Sequence, residues 1–214
     1  MATTKKSAVR YPQNIELHEG VHTTFTLMHK GEALGVLDLH VPGKHNVLNA
    51  TAAVIAAMKA GATFEQAKQG LAVFHGAGRR FEVLGHIGGV TVADDYAHHP
   101  TEVRATLEAA KSMHFSRVIA VHQPFTYSRT KALLNEFAEV LSIADHVVLS
   151  EIMGSREKNT IGIYSRDLGE KIPGCVWFDT FDEIADYVVK EAKPGDLIIT
   201  LGCGDIYKAA KKIV

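Results

Sequence analysis

The sequence predicts an α/β protein whose larger, carboxyl-terminal part is a mainly parallel sheet covered by helices on both faces. Two observations predict it. From residue 81 onward strand and helix patterns alternate, and four of the strands are short apolar runs each preceded by a helix. The stretch Val90–Glu102, Val-Thr-Val-Ala-Asp-Asp-Tyr-Ala-His-His-Pro-Thr-Glu, starts as a β-branched alternating run and ends in Pro-Thr-Glu, with Pro100 suited to the first helical position. A strand is expected to stop near Asp95. Two carboxylates, a phenol and two imidazoles then lie beyond the carboxyl end of a strand, where open α/β sheets place ligand sites.

Composition narrows the function classes. A chain of 214 residues, 46% hydrophobic and 22% charged, makes one large or two small domains with a real core. The formal net charge of -1 makes no electrostatic case for nucleic acid or an anionic membrane, so any bound anion is held locally. Cys175 and Cys203 have neither the paired spacing of a zinc site nor the density of a disulfide scaffold, and a cytoplasmic location is expected. No apolar run approaches the roughly 20 residues of a membrane span, and residues 1–7 have no signal-peptide core. The twelve histidines are mostly scattered singly, which makes surface or packing roles the default, and no metal ligands are assigned.

Taken in order, residues 1–42 read as β structure: 15–18, 23–29 and 34–41, broken at Glu19-Gly20 and at Lys30-Gly31-Glu32, the last two forming an antiparallel pair. Pro42-Gly43-Lys44-His45-Asn46 stops the strand, and the alanine-rich run 47–60 predicts a buried helix ended by Gly61. Thr63-Phe64-Glu65-Gln66 has capping-box spacing, so a second helix follows over 64–73. Residues 75–82 read as a flexible basic link, with domains expected at 1–80 and 81–214. Beyond it the strands are expected at 81–86, 90–95, 118–122, 146–149, 176–178 and 197–201. Helices are expected at 100–111, 131–143, 165–171, 181–190 and 206–212, with Thr180–Glu183 as another capping box.

Five constellations carry candidate chemistry. His45, Asn46 and Asn49 sit at a helix start, where free backbone donors favour anions or polar edges. The two asparagines share a face and can read a purine edge; equally, one of them can cap the helix. Arg79-Arg80, in a glycine-containing link, offers forked donors to a phosphate, against the commoner reading of a solvated pair. A carboxylate of Asp94-Asp95-Tyr96-Ala97-His98-His99 can accept from ribose hydroxyls. A metal set there is disfavoured, because adjacent residues on an extended chain point to opposite faces. In Gln123–Thr130, expected to occupy the next strand-end loop along, Arg129 is the partner for a carboxylate or phosphate, unless Ser128 or Thr130 caps the helix and Arg129 is solvated. Leu201-Gly202-Cys203-Gly204-Asp205 permits close backbone approach without completing a dinucleotide fingerprint.

Together these residues resemble the carboxyl-terminal part of the Mur ligases of peptidoglycan synthesis. The likeness rests on Pro42–Ala50, Gly78–Glu82, Asp94–Glu102, Tyr127–Thr130 and Gly202–Asp205, which stand in family order and span nearly the whole chain. The branch most resembled joins L-alanine to UDP-N-acetylmuramate, using ATP and Mg to form an acyl phosphate that the amino acid attacks. The resemblance implies a Rossmann-like carboxyl-terminal domain. It also implies that His45, Asn46 and Asn49 lie at the adenine region, Arg80 at the terminal phosphates as the catalytic cation, Asp95 at the ribose with Tyr96 nearby, and His98 and Arg129 at the substrate and incoming amino acid.

Two departures stand out. Relatives usually carry histidine where Phe125 stands, and some carry arginine where Thr126 stands. No Gly-x-x-x-x-Gly-Lys-[Ser/Thr] loop occurs. In the family that loop, the magnesium ligands and the UDP-sugar domain precede the region matched. The chain is therefore expected to be the latter part of the central ATP-binding domain plus the carboxyl-terminal domain, inactive without the missing N-terminal and central parts. The rivals are a murein tripeptide recycling ligase, a non-catalytic nucleotide-binding module, and a metal-dependent hydrolase using Asp94, Asp95, His98 and His99.

Overall fold

The computed structural model describes residues 10–18 and 22–214, in two compact units, Met1–Gly76 and Ala77–Val214. The expected Glu19-Gly20 break and the reading of residues 1–7 lie outside the described residues.

In the first unit β1 (Arg10–Leu17), β2 (Thr23–His29) and β3 (Glu32–Leu39) form an antiparallel sheet in that order. β1 begins five residues before the expected strand. The β2–β3 hairpin turns on Lys30 and Gly31, both at positive φ (51° and 92°), the conformation that matches the strand twist in a two-residue turn. Burial alternates along β2, so Phe25 and Leu27, with Leu37 and Leu39 of β3, face inward against α1 (Lys44–Lys59) and α2 (Phe64–Ala72). Thr63 and Gln66 make the expected capping box.

The second unit holds a six-stranded sheet. β4 (Glu82–Ile87) and β5 (Val90–Asp95) form an antiparallel hairpin at one edge. β5, β9 (Leu197–Leu201), β6 (Val118–His122), β7 (His146–Ser150) and β8 (Val176–Phe178) run parallel in that order. Every residue of β6 and β9 is buried, which is why both read as apolar runs interrupted only by His122 at the end of one and Thr200 in the other. On one face Val92, Ile119, Val121, Val148 and Ile198 pack under α7 (Phe181–Glu191) and α8 (Tyr207–Ile213). Across the sheet lie α3 (Pro100–Lys111), α5 (Leu134–Leu141) and α6 (Ser165–Gly169), burying Val103, Leu107, Phe137, Leu141 and Leu168. Expected 131–143 as one helix, that segment is two: α4 (Tyr127–Ala132) and α5, divided at Leu133, whose φ of -114° and ψ of 26° leave the helical region.

Candidate functional site

Register aligns the site. Asp95 pairs with Leu201 and Leu201 with His122, so three adjacent parallel strands end in one row and release three loops at the same edge. One expectation is corrected here: the loop after β6 is not next to the loop after β5, because β9 lies between them. The glycine loop after Leu201, a weak signal in the sequence, is the central one. It must be small: a Cβ on Gly204 would stand 2.5 Å from Gln123 Oε1 and 2.7 Å from Met153 Sδ. The Gln123 Oε1 accepts from the Asp205 backbone N–H (2.9 Å), tying two of the loops together.

Asp94 and Asp95 point apart, as neighbours on a strand must. Asp94, 1% exposed, accepts from Arg79 Nε (2.7 Å) and Thr200 Oγ1 (2.6 Å). Asp95, 5% exposed, accepts from the backbone N–H of Phe81 (2.8 Å) and of Ala97 (2.7 Å). Burial raises the Asp95 pKa above the usual carboxylate value, partly offset by those two hydrogen bonds and by the charge of Arg80. Both oxygens of each carboxylate are engaged by internal donors, and the donor atoms of Asp94, Asp95, His98 and His99 are not among those that converge in the described residues. His99 instead caps α3, accepting from Thr101 N–H (3.3 Å).

The two arginines have separate duties. Arg79 donates to Asp94, to the carbonyl of Gly202 (2.7 Å) and to that of Gly204 (3.3 Å), with its guanidinium over the rings of Tyr96 and Tyr207. The link expected to be flexible is thus fastened from Arg79 on. Arg79 and Phe81 both take left-handed φ (59° and 47°), a strained choice for such residues. Asp95 holds the Phe81 N–H and Glu82 accepts from the Arg79 N–H (2.7 Å), so the strain is over-determined. Arg80 is what this arrangement presents: it is exposed, its guanidinium lies 5.6 Å from the Tyr96 ring centroid, and among the described residues its side chain has no hydrogen bond or ion pair.

His98 is held just as deliberately. Its Nδ1 donates to the Tyr96 carbonyl (2.9 Å) and lies 3.4 Å from Glu102, whose carboxylate also accepts from the His98 N–H (3.0 Å). Burial works to raise the Glu102 pKa, but the His98 backbone bond, the His98 charge, the His99 backbone bond and Arg80 together lower it. Glu102 was not among the expected site residues, although the four-residue spacing to His98 was visible. Arg129 of α4 reaches the His98 carbonyl (3.3 Å), so the loops after β5 and β6 meet across the glycine loop. Ser128 does not cap α4; its N–H and hydroxyl go to Glu157.

His122 was also missed, being read only as a strand end. It is 1% exposed, its Nδ1 donates to the Leu201 carbonyl (3.0 Å), and its Nε2 is buried without a partner among the described residues. Burial pushes its pKa down to about 4.

On the first unit Asn46 and Asn49 share a face, but neither caps α1, whose N-cap is Gly43. Asn46 donates to the Pro42 carbonyl (2.7 Å) and accepts from Asn49 (3.2 Å). They border an apolar groove of about 790 Å³ between α1 and α2, floored by Ala50, Ala53, Val54 and Ala57. His45 is exposed beside them.

A mainly parallel sheet that gathers a glycine loop, an arginine unpaired among the described residues and a braced histidine at its carboxyl ends defines a Rossmann-like domain. Residues 79–204 match the family described as Mur ligase, glutamate ligase domain, and the chain belongs to that family. It is 50% identical over 195 residues to the UDP-N-acetylmuramate–L-alanine ligase of Lachnospira eligens, covering 89% of this chain and 42% of that one. Against the enzyme of the same name from Agathobacter rectalis it is 45% identical over 208 residues, covering 95% and 45%. The crystal structure of UDP-N-acetylmuramate-alanine ligase from Thermotoga maritima superposes with a TM-score of 0.75 at 25% identity, over 93% of this chain and 44% of that one. The chain therefore spans less than half the length of the relatives it matches.

Proposed function

We propose that the chain is the carboxyl-terminal part of an ATP-dependent ligase that adds L-alanine to UDP-N-acetylmuramate. Met1–Gly76 is the end of its central ATP-binding domain and Ala77–Val214 its carboxyl-terminal domain. The observation that carries this is the division between neighbouring arginines: Arg79 is consumed in holding the loops, and Arg80 is left as a positioned cation, unpaired among the described residues. Phosphoryl transfer asks for such a charge. The shared name of the two relatives supports the substrates.

In this reading the muramate carboxylate attacks the terminal phosphorus of ATP, giving ADP and an acyl phosphate. The amine of L-alanine then attacks the acyl carbon, phosphate leaves, and the amide forms as the nitrogen gives up a proton. Arg80 meets the charge on the transferring phosphoryl group. Asn46 and Asn49, with His45 beside them, contact the adenine; Tyr96 lies by the ribose, and Asp95 acts there chiefly by pinning the loop that carries Arg80. His98, its Nδ1 fixed by Tyr96 and Glu102, turns Nε2 to the substrate, and Arg129 holds the alanine carboxylate. Asp94 and Asp95 are spent on internal partners and do not suit Mg, which we assign to the part of the ligase preceding the matched region. The reaction and its soluble nucleotide substrates suit a cytoplasmic enzyme, and no helix among the described residues is long and apolar enough to cross a membrane.

A chimera tests this reading, with the chain replacing the matching region of the Lachnospira eligens ligase. The chimera should release phosphate with ATP, UDP-N-acetylmuramate and L-alanine, whereas the chain alone, having no phosphate loop, should not. Arg80→Ala in the chimera should lower kcat by roughly 10²–10³ with little change in the KM for ATP. Turnover with the L-alanyl tripeptide and none with L-alanine would transfer the assignment to the recycling ligase; turnover with neither would leave a nucleotide-binding module.

A further inference from the structure

Four histidines and an aspartate, from three separate stretches of sequence, converge at one end of the three-stranded sheet. The register dictates it. Leu17 pairs with Thr23 and Thr23 with Leu39, so the residues one step further out, His18, His22 and His40, fall in one row across three neighbouring strands. Asp38 lies two residues before His40 and so on the same face. Phe25, Leu27, Leu37 and Leu39 use the opposite face for the core, leaving this row on the outer one. The ring centroids of His18 and His22 are 4.8 Å apart, those of His22 and His40 5.2 Å, and those of His40 and His75 5.2 Å.

The donor atoms of His22, Asp38 and His40 all lie within 4.8 Å of one another. His22 Nε2 is hydrogen-bonded to Asp38 Oδ1, and His40 Nε2 is 3.8 Å from that same oxygen. Tetrahedral bonds of about 2.0–2.1 Å need donors roughly 3.3 Å apart, which small side-chain rotations reach. The side chains are 32–43% exposed, open enough for an ion to enter. Imidazole and carboxylate donors without a thiolate suit Zn²⁺ or Cu²⁺ rather than Mg²⁺.

We propose that His22, Asp38 and His40 bind one divalent transition-metal ion, with the fourth position filled by His18, His75 or water. The ion would bridge β2 and β3 and stabilise the first unit by mass action. The site shares no residue with those assigned to the ligase reaction.

The test uses the full chain, freed of metal by chelation and titrated calorimetrically with ZnCl₂, alongside thermal unfolding. One saturable site with a rise in Tm is expected, unaffected by millimolar MgCl₂. The double variant His22→Gln/His40→Gln should bind Zn²⁺ at least tenfold more weakly and Asp38→Asn several-fold more weakly, while His86→Gln, in the second unit, should match the wild type. X-ray absorption on the zinc-loaded wild-type chain, which does not depend on the variants folding, should show at least two imidazole ligands. The absence of saturable binding, unchanged affinity in a folded double variant, or a shell with fewer than two imidazoles would overturn the proposal.

Discussion

Arg79 and Arg80 are identical in type and adjacent, yet among the described residues Arg79 is tied by hydrogen bonds and the Arg80 side chain is not. Asp94→Ala, which leaves the Arg79 charge without its buried partner, should destabilise the second unit by about 3–5 kcal/mol, whereas Arg80→Ala should cost less than about 0.5 kcal/mol. Urea unfolding compares them; equal losses would make Arg80 structural too. His122 sets a second expectation. Its folded pKa is depressed to about 4 from 6.5, so its contribution is fully present above pH 6.5 and is lost as pH falls towards 4, where the unfolded chain takes up a proton that the folded one refuses. The loss is on the order of 3 kcal/mol. His122→Phe should flatten the unfolding free energy between pH 4 and 6.5 relative to wild type; an unchanged slope would show that the buried ring does not govern it.

At the scale of elements, short-range signals were legible because their partners are close in sequence. Both capping boxes, the start of α3 at Pro100 and the stop of β5 at Asp95 all formed as read. Thr180→Ala should therefore cost about 1 kcal/mol through the lost cap of α7. The glycine loop was legible only as small residues after a strand, since the side chains that demand the smallness come from Gln123 and Met153. Gly204→Ala should cost roughly 1–3 kcal/mol by overpacking, seen as a lower Tm. A neutral substitution would mean that Gln123 can turn aside.

At the scale of the molecule, the two units have separate cores, one under the antiparallel sheet and one through the six-stranded sheet. Ala77–Val214 should fold alone with a single cooperative thermal transition. A version beginning at Glu82 lacks Arg79 and the Phe81 N–H, stranding both Asp94 and one oxygen of Asp95. It should be less stable by several kcal/mol. Equal melting of the two versions would show that the ties from residues 79–81 carry little.

By itself the sequence determined the class of fold, most of the strands and helices in their order along the chain, the two capping boxes and the strand-end stretch around Asp95. Each of these is written in the 2.0 and 3.6 periods or in contacts within a few residues. Only the tertiary structure decided that β9 enters between β5 and β6, that Arg79 is spent and Arg80 free, that Asp95 braces a loop, and that four scattered histidines stand together. Those outcomes depend on which distant strands pair and in what register, and pairing is decided by the burial of whole faces rather than by any local run of residues.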